Sequence, residues 1–254
     1  MLGESRLLSS RMSSRYTMRK WAMLALVVCC PMLGAQRLQD LAAPTPIPPG
    51  STLVLGFLGG FERWNDEHRS IRQLTLKLRR QPGVYAESIS NHNRAVALEL
   101  IRRALDTNQD GSLDPAERAR ARIILYGQSW GGAAAIATAR DLEHLGIPVL
   151  LTVQVDSVGV HDRVVPANVQ AAANFYQHDP LTVQGQTTIR AADPTRTRIL
   201  GNFRSSYIRR SVDESNASWA RRTLGGSHAK MELDPKVWSQ VERYITDAIA
   251  GRLP

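Results

Sequence analysis

An apolar, largely β-branched run, Ile123-Ile124-Leu125-Tyr126, ends in Gly127-Gln128-Ser129-Trp130-Gly131 and passes without a break into the alanine-rich stretch Gly132 to Ala139. No other feature restricts the fold as much. The first run reads as a strand buried on both faces. The last reads as a helix whose small side chains let it pack closely on a sheet. Only a tight turn is left between them, and Gly127 and Gly131 permit it because neither brings a side chain into the bend. A serine held out of such a turn, beside a base, can act as a nucleophile.

The rest of the chain repeats the same alternation. Strands are expected over 51–57, 84–89, 122–126, 147–155 and 197–203. Helices are expected over 66–80, 93–105, from Gly132 onward, and from Asp234 through Ala248, where Asp234 caps and Pro235 suits the first position. Residues 159–195 read as irregular; Val164, Val165, Val169, Phe175 and Tyr176 within them suit either a lid with an acyl pocket or plain core. Strands alternating with helices imply an α/β fold, a mostly parallel sheet with helices on both faces.

In an open parallel sheet, reactive groups gather at the carboxyl ends of the strands. Asp156 stands at such an end, just after Val155. Among six histidines, His68, His92 and His144 fall before strand ends or on expected helices. His161 and His178 lie in the irregular stretch. His228 follows Gly225-Gly226-Ser227 just ahead of the last helix, where a glycine-rich approach can carry its ring over Ser129. His228 is therefore the expected general base and Asp156 its orienting carboxylate.

Ser129, Asp156 and His228, in that order, resemble the α/β-hydrolase family, and the resemblance spans about residues 51–250. It implies a three-layer sandwich and serine esterase or lipase-like activity, and, because the family's acid often follows one strand later, Asp213 as the alternative to Asp156. Gly56-Phe57-Leu58-Gly59-Gly60 is similar to the family's loop after an early strand. The resemblance thereby implies an oxyanion hole built from the amide of Phe57 or Leu58 and that of Trp130. Gln128 and Leu55 stand where many members carry histidine; neither position belongs to the triad.

The ends of the chain bear on where it works. Arg11, Arg15, Arg19 and Lys20 precede the apolar stretch Trp21 to Leu33, followed by Gly34-Ala35-Gln36. This is the pattern of a secretory signal over residues 1–35, cleaved after Ala35. Its apolar core is too short to span a bilayer, so no stable membrane span is expected after cleavage. Both cysteines, Cys29 and Cys30, lie inside it, so the secreted or periplasmic chain has no disulfide to rely on. Residues 36–50, with Pro44, Pro46, Pro48 and Pro49, read as an extended linker, and 51–254 as the hydrolase domain. The net charge of +9 is partly that of the leader, and the remaining arginines are scattered over helices without interleaved aromatics, which excludes a nucleic-acid site.

One motif falls outside the triad. Within residues 106–117, Asp106, Asn108, Asp110, Ser112, Asp114 and Glu117 occupy every ligand position of an EF-hand-like calcium loop, with Gly111 at the sharp turn. The exiting helix has room for a turn or two before the serine strand, so a single structural Ca²⁺ is expected rather than a sensor pair. No organic cofactor is expected. The expected function is hydrolysis of a small-molecule or lipid-like ester or thioester. The competing readings are an acyltransferase using the same residues and a calcium-stabilised binding protein on a hydrolase scaffold.

Overall fold

The computed structural model describes residues 36–180, 182–215 and 226–253; the expected leader, 1–35, lies outside them. Eight strands are described: β1 (Thr52–Leu58), β2 (Val84–Ser90), β3 (Ile123–Gln128), β4 (Val149–Val155), β5 (Val164–Val165), β6 (Val169–Gln177), β7 (Arg190–Ala191) and β8 (Arg198–Ser205). The described helices are α1 (Ser70–Leu78), α2 (Arg94–Leu105), α3 (Pro115–Ala119), α4 (Trp130–His144), α5 (Gly226–Leu233) and α6 (Pro235–Ile249). Six strands form one sheet in the order β2-β1-β3-β4-β6-β8, and every pairing in it is parallel. β5 and β7 form a separate short parallel pair.

Both faces of the sheet are covered, which is why its strands read as continuous apolar runs. Leu53, Leu55 and Phe57 of β1 enter a core shared with α2 and α4. Val54 and Leu58 of the same strand enter a second core with α1 and α6. This is a three-layer α/β sandwich, a parallel sheet between two helical layers, as the alternation of strands and helices implied. Among the described residues, no helix is long and apolar enough to cross a membrane.

Three expectations need correction. The helix expected over 66–80 starts only at Ser70, because the Asp66 side chain accepts the His68 amide and its carbonyl accepts the Arg69 amide, closing a turn first. Residues 159–195 are not simply irregular, since β6 runs through them between β4 and β8. Val165, Val169 and Phe175 are buried core residues, not a lid. β6 escaped notice because Ala171-Ala172-Ala173 carries none of the usual strand signature.

The third correction concerns residues 36–50, which are bound to the domain rather than linking to it. Gln36 is buried; its Nε2 donates to the Ser88 carbonyl at 2.9 Å, and its Oε1 accepts the Ser90 amide at 3.2 Å. The buried Glu87 carboxylate accepts the amides of Ala42 and Ala43 at 2.7 and 2.8 Å and pairs with Arg79. Ile47 enters the core. A polar backbone segment can lie down in this way because a buried carboxylate needs the donors it offers. Removing residues 36–50 is therefore expected to lower the melting temperature by about 5 °C or more, because hydrogen bonds to a charged group and core area are lost together. An unchanged melting temperature in the shortened protein would restore the linker reading.

Candidate active site

The turn between β3 and α4 is as tight as the sequence suggested. Ser129 sits at φ 57° and ψ −127°, a conformation that non-glycine residues rarely adopt. A Cβ on Gly127 would collide with the Gly131 backbone, and one on Gly131 would collide with the Phe57 carbonyl. The two glycines thus let β3, α4 and the end of β1 meet at one point. The amide of Ser129 donates to the Val155 carbonyl at 2.9 Å, tying the bend to the end of β4.

Asp156 follows directly on β4 and is also left-handed, with φ 43°. Its carboxylate is fully buried and receives four donors. Oδ1 accepts the amides of Gly185 (3.0 Å) and Gln177 (3.3 Å). Oδ2 accepts the Gln177 side-chain amide at 2.8 Å and His228 Nδ1 at 2.7 Å. Since a carboxylate only accepts, the His228 proton sits on Nδ1, and the bare Nε2 faces the Ser129 hydroxyl at 3.0 Å. The structure brings Ser129, Asp156 and His228 together. Asp213 is not part of this group; it is exposed and its carboxylate accepts the Ser215 amide.

His228 was expected on a glycine-rich loop and lies instead in the first turn of α5; Gly225, part of that expected approach, lies outside the described residues. Its placement depends on a second buried carboxylate that sequence reasoning missed. Asp179 accepts the hydroxyls of Ser227 and Ser206, both at 2.7 Å, and the Tyr207 amide. Burial opposes ionisation of Asp179. The bonds from Tyr207, Ser206 and Ser227, with the field of Arg204, outweigh it and hold this carboxyl below its ordinary range. Gln177 was missed as well. It supports Asp156, and its own Oε1 accepts the Asp179 amide at 2.9 Å, so the two carboxylates share one scaffold. Gln128 adds a contact to His228, Nε2 to Nε2 at 3.3 Å.

The expected oxyanion donors are only partly where they were sought. Trp130 is the first residue of α4, and an amide there has no acceptor within the helix. Phe57, however, is in register with both Ile89 and Gly127, inside the ladder. The Leu58 carbonyl faces β2, where Asn91 donates to it at 3.0 Å. In a strand the amide and carbonyl of one residue point to the same side, so the Leu58 amide also faces β2, away from Ser129. A Cβ built on the next residue, Gly59, would lie 2.6 Å from Gln128 Oε1 and 3.0 Å from Ser129 Cβ, so its backbone lies close against the serine turn. Gly59, which the expectation of Phe57 and Leu58 did not include, is therefore a backbone group beside the serine. Strand alternation, followed one residue further, was the available signal.

Asp179 supplies a test with a defined sign. Its folded pKa is depressed, so its contribution to stability is complete above the unfolded value near 4 and is lost as pH falls through the lower folded value. Asp179→Asn is expected to cost about 1–3 kcal/mol in denaturant unfolding at neutral pH, with a smaller difference below about pH 4. A gap independent of pH would mean that the charge of Asp179 contributes nothing.

No protein-family model matches the chain. No curated protein matches it either. Among solved structures, it is similar to a dienelactone hydrolase-like promiscuous phosphotriesterase from metagenomic libraries, at 16% identity and a TM-score of 0.38, over 83% of this chain and 89% of that one.

Proposed function

We propose that this chain is a secreted or periplasmic serine hydrolase that cleaves a carboxylic ester or thioester through an acyl-enzyme on Ser129. One observation carries the reading: a single imidazole, His228, touches the serine oxygen through Nε2 at 3.0 Å and a buried carboxylate through Nδ1 at 2.7 Å. In the reaction, Ser129 Oγ bonds to the carbonyl carbon as its proton passes to His228 Nε2. Asp156 holds the ring and offsets its positive charge. The negative oxygen of the tetrahedral intermediate is received by the amides of Trp130 and Gly59. The intermediate collapses, and the alcohol or thiol leaves with the proton from His228. Water then repeats the sequence and frees the acid.

The surroundings of Ser129 favour a substrate with a flat apolar part. Trp130 is 44% exposed and Phe61 74% exposed, and their rings meet edge to face with centroids 5.5 Å apart. Exposed aromatics beside a nucleophile offer stacking surface to an aryl or lipid-like group. The basic and apolar leader of residues 1–35 supports export, and the mature protein is expected to begin at Gln36. Retention of the leader on the exported chain would contradict cleavage there.

Kinetics on nitrophenyl esters of rising chain length test the reaction. Ser129→Ala and His228→Ala are each expected to lower kcat/KM by about 10⁴-fold or more, mainly through kcat. Phe61→Ala is expected to raise KM for aryl and long-chain esters while leaving acetate esters nearly unaffected. Full activity in Ser129→Ala would rule out the acyl-enzyme.

A further inference from the structure

The segment between α2 and α3 takes no part in the hydrolase site, and its chemistry points elsewhere. Four carboxylates, Asp106, Asp110, Asp114 and Glu117, fall within twelve residues. The chain is already folded around them. Gly111, at φ 86°, turns its amide across the loop to Asp106 Oδ2 at 3.0 Å, so the Asp106 carboxylate faces the loop interior. Asn108 Oδ1 accepts the Asp110 amide, and Asp110 Oδ1 accepts the Ser112 amide. Asp114 caps α3, accepting the Glu117 amide at 2.8 Å.

One atom in this arrangement lacks a partner. Asp106 is 6% exposed, and its Oδ1 is buried without any hydrogen-bond donor. An oxygen of a carboxylate removed from water needs a donor or a cation. The neighbouring guanidinium does not fill that role: Arg102 Nη1 lies 3.7 Å from the other oxygen, Oδ2, and donates to the Gly111 carbonyl at 2.9 Å.

We propose that this loop binds one calcium ion, with Asp106 Oδ1 as its buried ligand. The side chains of Asn108 and Asp110, the carbonyl of Ser112 and the carboxylate of Glu117 complete an all-oxygen set. Such a set suits Ca²⁺, which accepts six to eight oxygens in a flexible geometry, better than Mg²⁺, which demands a tight octahedron. Among the described residues, no three acidic, histidine or cysteine side chains converge on one point. The Glu117 carboxylate is turned onto Thr107 and the Asn108 and Asp114 amides. Binding therefore requires Glu117 to bring an oxygen to the ion, each oxygen having a second lone pair to offer. The ion would anchor the end of α2 to α3, the short helix that leads into β3 and hence to Ser129.

Calorimetric titration of Ca²⁺ into the chelator-treated full protein tests this. One ion per chain is expected, with a dissociation constant on the order of 10⁻⁴ M. A melting temperature raised on the order of 5 °C is expected once calcium exceeds that constant about 100-fold. The double variant Asp110→Asn, Glu117→Gln, confirmed as folded by circular dichroism, is expected to bind at least about tenfold more weakly. Arg102→Gln, which removes a competing positive charge, is expected to bind more tightly. The proposal is overturned by the absence of both heat and a melting shift at about 5 mM Ca²⁺, or by unchanged affinity in the double variant. Neither result depends on ester turnover, so the site fails or stands separately from the hydrolase reading.

Discussion

The structure turns on a collision that does not happen. Because Gly131 has no side chain, the Phe57 carbonyl can sit where a Cβ would be, and the start of α4 closes onto the end of β1. This approach holds Ser129 at φ 57°, a strain on the order of 1–3 kcal/mol that the packed sheet beneath must offset. The same closeness brings Gly59 against the serine and leaves the Trp130 amide at the open end of a helix. Ser129 and the backbone of Gly59 and Trp130 are thus placed by one constraint.

His228 is held by longer-range means. His228 reaches Ser129 only because Asp156 grips Nδ1 and Asp179 grips the hydroxyl of Ser227, the residue before it. Gln177 joins the two carboxylates from the end of β6, donating to Asp156 and accepting from the Asp179 backbone. Every polar group in this chain of contacts is buried or half-buried, where an unmet partner is expensive. The geometry of the imidazole is therefore coupled to the sheet and not left to the mobility of one side chain.

Much of this was legible from the chain. Ser129 announced itself through glycine spacing between a β-branched and an alanine-rich run, both local signals. Asp156 stood at the end of an apolar strand, and His228 just before a capped helix. What escaped was of two kinds. β6 was missed because its alanines pack between neighbouring strands without the bulky residues that mark a strand. Gln177, Asp179 and the docking of residues 36–50 onto Glu87 were missed because the contacts join positions 21 to 48 residues apart, and no local pattern records them. Gly59 was overlooked as a backbone neighbour of Ser129 for a different reason: the side to which an amide points alternates along a strand, and a one-residue shift reverses it.

The claim on which the account rests is that Ser129 is a nucleophile activated by His228. A fluorophosphonate reagent followed by peptide mass analysis tests this most directly, since it reports the bond formed and the residue that forms it. The account predicts one adduct, on Ser129, formed far more slowly in His228→Ala. No adduct on the folded protein, or labelling that survives in Ser129→Ala, would contradict it.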